Sequence, residues 1–122
     1  MILADTSIWI DHFRAGNGEL RKQLANRNIV IHPFVVAELA LGSLRDRLHT
    51  LAYLDRLPHA RVAQLSEVRW MIEKRSLWSQ GIGLIDAHLM ASAFLDPATL
   101  LWTKDKHLRD VANPLGVLAN LP

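Results

Sequence analysis

The sequence predicts an α/β fold built on a parallel sheet, and three observations carry that prediction. Short apolar, β-prone runs alternate with helical patterns from one end of the chain to the other. Several of those runs, Ile2 to Ala4 and Ile29 to Ile31 among them, are apolar at successive positions, as in strands covered on both faces. No repeat, low-complexity stretch or linker divides the 122 residues, half of which are hydrophobic, so residues 1–122 are expected to form one domain around one core.

Each element follows from local chemistry. Ile2-Leu3-Ala4 stops at Asp5-Thr6-Ser7, three residues that favour a helix N-cap, so strand and then helix is the natural reading. That helix holds Ile8 to Phe13 and breaks around Gly16-Asn17-Gly18, and a second covers Glu19 to Ala25. Ile29-Val30-Ile31 is the next buried strand. Pro33 suits the first turn of a helix running to Leu41, with Gly42 closing it. Arg45 to Leu57 places Leu48, Leu51, Ala52 and Tyr53 among basic residues and reads as an amphipathic helix that Pro58 ends. Arg61 to Leu65 is a candidate short strand and Glu67 to Trp78 a helix. Gly81 and Gly83 interrupt before a helix over Leu84 to Leu95, and Asp96-Pro97 turns the chain. Thr99 to Trp102 is a strand, Lys104 to Val111 a short helix and Val117-Leu118 a last strand.

Composition removes several function classes. With no cysteine there is no disulfide, thiol nucleophile, iron–sulfur cluster or thiolate zinc site, so any metal must be held by oxygen or imidazole. The apolar opening, Met1 to Ile10, lacks a basic leader and contains Asp5, which argues against a secretory signal. No apolar stretch reaches the length of about eighteen residues that a membrane span requires. A cytoplasmic protein with no membrane partner is the expectation. The net charge is only +2, and its distribution says more than its size. Once four of the twelve acidic residues are drawn into one pocket, the fourteen basic groups dominate what remains. A basic exterior around an acidic hole suits an enzyme that acts on a polyanion through bound cations.

The four acids are Asp5, Glu38, Asp86 and Asp105. Asp5 and Asp105 each stand at or just past the C-terminal end of an expected strand, the edge where open parallel sheets bind their ligands. Taken singly, either could be a helix cap and nothing more. Glu38 falls on the stripe of its helix shared with Phe34, Val35, Leu41 and Gly42, the side expected to be buried. A carboxylate there must be protonated, paired with a base or bound to a cation. Asp86 shares its stripe with Ile82, Leu89, Met90 and Ala93, although near a helix start it could simply meet free N–H groups. Four acids from four distant segments suit one or two Mg²⁺ or Mn²⁺ ions, which neutralise phosphoryl oxygens and activate water for phosphodiester hydrolysis. Without metal, clustered carboxylates push each other's pKa upward.

Four segments carry a family resemblance: Leu3-Ala4-Asp5-Thr6-Ser7, Val36-Ala37-Glu38-Leu39, Gly81-Ile82-Gly83-Leu84-Ile85-Asp86-Ala87-His88-Leu89, and Leu101-Trp102-Thr103-Lys104-Asp105. In order and rough spacing they resemble the PIN-domain ribonucleases, and above all the VapC toxins of bacterial VapBC toxin–antitoxin pairs. The resemblance spans nearly the whole chain. It implies an α/β/α sandwich with a central, mainly parallel sheet of four to five strands, and Mg²⁺- or Mn²⁺-dependent endoribonuclease activity with one or two ions per site. It further implies an RNA substrate, a cognate VapB-like antitoxin and a homodimer. The family's acidic positions fall on Asp5, Glu38, Asp86 and Asp105 as catalytic and metal-holding residues. Thr6, Ser7 and Thr103 match hydroxyls that orient carboxylates or water. Leu108 departs from the pattern, standing where relatives often carry an aromatic residue, and the chain is short for the family.

Lys104, Lys106 and Arg109 around Asp105, together with Arg14, are candidates for guiding RNA, with Arg45, Arg47, Lys74 and Arg75 behind them. His88 and His107 each lie two residues from a motif acid, but hard cations prefer oxygen. Trp102 is expected to be buried in a central strand, and Trp9 lies on the first helix, where the family often meets its antitoxin or second subunit. Competing readings fit less well. A receiver domain needs an acidic pair after the first strand, and a HAD-type phosphatase needs Asp-Xaa-Asp where this chain has Asp5-Thr6-Ser7. A catalytically weak PIN-like protein that only binds RNA or antitoxin is the remaining alternative.

Overall fold

The computed structural model describes residues 1–122. The chain begins with strand β1 (Ile2–Ala4), then helices α1 (Thr6–Ala15) and α2 (Gly18–Ala25), strand β2 (Ile29–Val30), and helices α3 (Pro33–Ala40), α4 (Arg47–Arg56), α5 (Leu65–Lys74) and α6 (Leu84–Leu95). Strand β3 (Leu100–Trp102), helix α7 (Lys106–Ala112) and a 3-10 turn at Asn113–Leu115 complete it. The sheet is parallel throughout, in the order β2-β1-β3, with Ile2 opposite both Ile29 and Leu100.

The sheet has three strands, not the four to five that the resemblance implied. One isolated parallel bridge forms on each side of the sheet, Ile31 to His59 and Leu101 to Leu118; the second falls on the strand expected at Val117-Leu118, whereas the first lies before the strand expected at Arg61 to Leu65, which does not form. Each bridge is two backbone hydrogen bonds bracketing one residue: Ile31 N–H to Pro58 O and Ala60 N–H to Ile31 O at 2.8 Å, and Leu101 N–H to Val117 O and Ala119 N–H to Leu101 O at 2.7 Å. The reason is local. Pro58 has no N–H with which to lengthen the first bridge. Gly116 enters the left-handed region at φ 72° immediately before the second. Residues 61–64 form no strand, and the following helix starts at Leu65 and stops at Lys74, earlier than its apolar pattern implies, with Ser76 at φ 54° turning the chain away.

Successive strand residues point to opposite faces, and Leu3, Ala4, Leu101 and Trp102 are all fully buried, so helices cover both sides of the sheet. Against β1 and β3 pack Ile8 and Trp9 of α1, Leu89 and Met90 of α6 and Leu108 of α7, all in one apolar cluster. Trp9 is therefore core, not the exposed docking residue that its place on the first helix allowed. Helix α1 lies against α3, α3 against α4, and α5 against α6. No helix is long and apolar enough to cross a membrane. This arrangement gathers the C-terminal ends of β1 and β3 at one edge of the sheet, where the N-termini of α1 and α7 begin.

Candidate active site

Asp5 ends β1 and starts α1. Its backbone N–H extends the ladder to Trp102 O at 2.9 Å, and its side chain then caps the helix, Oδ1 accepting from Ile8 N–H at 3.2 Å. Only 4% of the residue is exposed. Two hydroxyls hold the carboxylate in place: Ser7 donates to Oδ1 at 2.5 Å, and Thr103 donates to Oδ2. Both hydroxyls also reach the segment after β3. Lys104 N–H donates to Ser7 Oγ at 3.1 Å, and Asp105 N–H donates to Thr103 Oγ1 at 3.0 Å. Thr103 thus fixes two of the four acids at once.

Asp105 caps α7, its Oδ1 accepting from His107 N–H at 2.9 Å and Leu108 N–H at 3.3 Å, while its Oδ2 takes no hydrogen bond from the protein. On α3, Glu38 is half-buried and accepts the Thr6 hydroxyl at 2.7 Å through Oε1. Leu41, expected on the same buried stripe, is instead 89% exposed because the helix ends at Ala40. Asp86, in the first turn of α6, accepts Gly83 N–H at 3.3 Å. The loop before it leans on α7. Gly81 has φ +77°, and a Cβ there would come within 3.0 Å of the His107 ring, so glycine satisfies both the backbone and the close approach.

The charges of the other three acids are linked pairwise through Asp86. Burial raises the pKa of Asp5 above 3.8, against the opposing pull of Ser7, Thr103 and the Ile8 N–H, and the charge of Asp86 raises it further. Burial likewise raises Asp86, and the charges of Asp105 and Glu38 add to the rise. Asp86 therefore feels all three of the others. None of the four has a basic partner: the ion pairs of the molecule are Lys104 with Asp11 and His49 with Asp46. Asp105 is exposed, but Asp5 is buried and Glu38 and Asp86 are half-buried, and mutually repelling carboxylates placed there without a counter-charge are unfavourable as they stand.

This donor set fits a hard divalent cation. All the donors are oxygens, and the charge to be neutralised is uncompensated. No three of these side chains stand close enough together to enclose an ion unaided. Water would complete the shell, which is how Mg²⁺ is ordinarily bound. Two buried histidines are engaged with α3. His88 is buried edge-on to Phe34 at 4.7 Å. His32 caps α3 through Nδ1, and burial with the nearby His88 lowers its pKa to about 4.

The basic residues divide into two groups. Lys104 Nζ is held at 2.7 Å by Asp11, which Asn17 also binds at 3.1 Å, and half-buried Arg109 donates to Thr103 O at 3.2 Å. Arg47 binds Ala40 O and Gly42 O, and Arg75 lies 5.0 Å over the Phe94 ring. Lys106 and Arg14 are exposed and carry no ion pair, as do Arg45 and Lys74. Asp11 is the residue that sequence reasoning misses. Its partner lies ninety-three positions away, and nothing in its local pattern marks it.

The family model of the PIN domain matches residues 2–114. Over 117 residues the chain is 40% identical to Ribonuclease VapC32 from each of two strains of Mycobacterium tuberculosis, an overlap of 96% of this chain and 94% of the relative. The chain therefore belongs to the PIN-domain family and, within it, stands with the VapC-type ribonuclease toxins.

Proposed function

We propose that this protein is a metal-dependent endoribonuclease toxin in which Asp5, Glu38, Asp86 and Asp105 hold Mg²⁺ or Mn²⁺, one or two ions, against an RNA phosphodiester. The observation that carries the reading is the mutual electrostatic coupling of Asp86 with Asp5, Asp105 and Glu38, with no basic partner for any of them. When bound, the cation supplies charge neutralisation at the phosphoryl oxygens and an activated water. The chain's own residues supply order. Ser7 and Thr103 fix both oxygens of Asp5, Thr6 fixes Glu38, and Thr103 ties the Asp105 backbone to the same point. Such hydrogen bonds keep ligands oriented before substrate arrives.

Lys106 and Arg14 are the free cations best suited to draw in the RNA backbone, whereas Lys104 and Arg109 act mainly by holding the walls of the site. The same reading, following the resemblance to the VapC toxins, extends to a cytoplasmic homodimer silenced by a VapB-like antitoxin. Incubation of the purified protein with RNA and Mn²⁺ or Mg²⁺ should give fragments with 5′-phosphate and 3′-hydroxyl ends, and chelator should stop the reaction. Cutting that continues undiminished in chelator would refute the proposal.

A further inference from the structure

Lys104 stands immediately before Asp105 in the chain, yet its ammonium pairs with none of the four acids. Its backbone N–H donates to Ser7 Oγ at 3.1 Å, and that hydroxyl donates to Asp5 at 2.5 Å, so the residue is rooted two hydrogen bonds from the buried carboxylate. From there the side chain runs along α1. Ser7 and Asp11 are four residues apart and share one face of that helix, and Lys104 Nζ ends on Asp11 Oδ2 at 2.7 Å. At about 1.5 Å of rise per residue, Asp11 stands about 9 Å beyond Asp5 along the helix axis. Asp11 is itself anchored. Asn17, buried where α1 gives way to α2, donates from Nδ2 to the same Oδ2 at 3.1 Å, while its Oδ1 caps α2 by accepting Leu20 N–H at 2.9 Å. The hydrogen bond and charge of Lys104 hold the Asp11 carboxyl below its ordinary 3.8.

The direction of that side chain matters because an ammonium and a divalent cation are rivals for the same carboxylates. A flexible four-carbon stem rooted at this point is long enough to swing toward the acids instead. There it would neutralise the charge that attracts the cation and repel the ion directly. In the observed arrangement Asp86 feels the charges of Asp105 and Glu38 and that of no lysine. We propose that Asp11 is a positioning residue of the cation site: by holding Lys104 Nζ along α1 it keeps the ammonium off the carboxylates and leaves their charge to a divalent ion. This assignment rests on the metal-dependent reading above and adds to it a residue, outside the four acids, that sets the affinity for the cation.

The test is calorimetric titration of Mn²⁺ into the full chain at low salt, without RNA. Asp11→Ala removes the acceptor from a half-buried position of α1, where alanine suits the helix, and frees Lys104. This variant should bind Mn²⁺ about tenfold more weakly than wild type, the effect of one positive charge placed about 7 Å from a dication in a largely aqueous site. The deficit should narrow as KCl is raised. Adding Lys104→Met to Asp11→Ala removes the rival, keeps the backbone N–H on Ser7 and should restore wild-type affinity, which also shows that Asp11→Ala folds. Asp11→Glu keeps the negative charge and should bind as wild type does. Were the Lys104 side chain no more than a brace between α1 and the β3–α7 connection, the order would differ. Lys104→Met alone would then weaken Mn²⁺ binding as much as Asp11→Ala, and the double variant would recover nothing. That order, or wild-type affinity in Asp11→Ala, would overturn the inference and leave the nuclease reading standing. A wild-type protein that binds no Mn²⁺ at all would refute the nuclease reading and this inference with it.

Discussion

Asp86→Asn is expected to cut RNA at least about a thousandfold more slowly than wild type and, in metal-free buffer at neutral pH, to melt at a higher temperature. The rate loss follows from removing a cation ligand at a site where charge stabilisation is worth several kcal/mol. The gain in stability follows from linkage. The folded-state pKa of Asp86 is raised above 3.8, so the folded protein holds that proton more tightly than the unfolded chain does. Stability from this group is full below the unfolded value and is lost as pH rises through the folded one. At neutral pH the ionised group is a standing cost. Asparagine removes it, and its amide oxygen can still accept the Gly83 N–H that Asp86 now accepts at 3.3 Å. Wild-type cleavage by the variant, or a lower melting temperature without metal, would contradict this.

Thr103→Val removes one buried hydroxyl and so two hydrogen bonds, the donation to Asp5 Oδ2 and the acceptance from Asp105 N–H. Valine fills nearly the same volume, so packing is kept and the polar loss stands alone. Unpaired buried groups of this kind cost about 1–3 kcal/mol, readable in urea unfolding. Loosening a group that orients a metal ligand lowers cation affinity by about 10–100-fold, so the variant should need correspondingly more Mn²⁺ to cut RNA at half its maximal rate. Thr103→Ser should restore both properties in large part. A valine variant with the wild-type Mn²⁺ requirement would show that Thr103 has no part in positioning the acids.

Much of the fold and site is legible in the sequence because it depends on local rules. The three-residue run before Asp5-Thr6-Ser7 marks β1 and the start of α1, and Pro33 marks the first turn of α3. The acids at strand ends and on buried helical stripes stand out because charge is out of place there. What stays hidden depends on partners far along the chain. Nothing near Asp11 shows that it will take Lys104, nor near Thr103 that its hydroxyl will hold Asp5. The outer strands fall short for a different reason. At residues 117–118 apolar character signals burial, but a strand also needs several consecutive backbone partners, and one bridge at Leu118 is all that forms; at residues 61–65 only Ala63 is buried, and the single bridge on that side lies at His59. The end of α3 shows the same limit: helical periodicity places Leu41 on a buried stripe, but the helix stops one residue earlier and leaves it in solvent.

The most direct test is a calorimetric titration of Mn²⁺ into the wild-type protein and into a variant carrying Asp5→Asn and Asp86→Asn, repeated at several pH values. Both wild-type acids hold their protons more tightly than a free carboxyl does, so in the acid range the ion competes with protons for them. Wild-type binding should strengthen as pH rises and release protons to the buffer, while the double variant should bind no Mn²⁺ at this edge of the sheet. Equal binding by the two proteins, or wild-type binding that ignores pH, would mean that these carboxylates do not hold the ion.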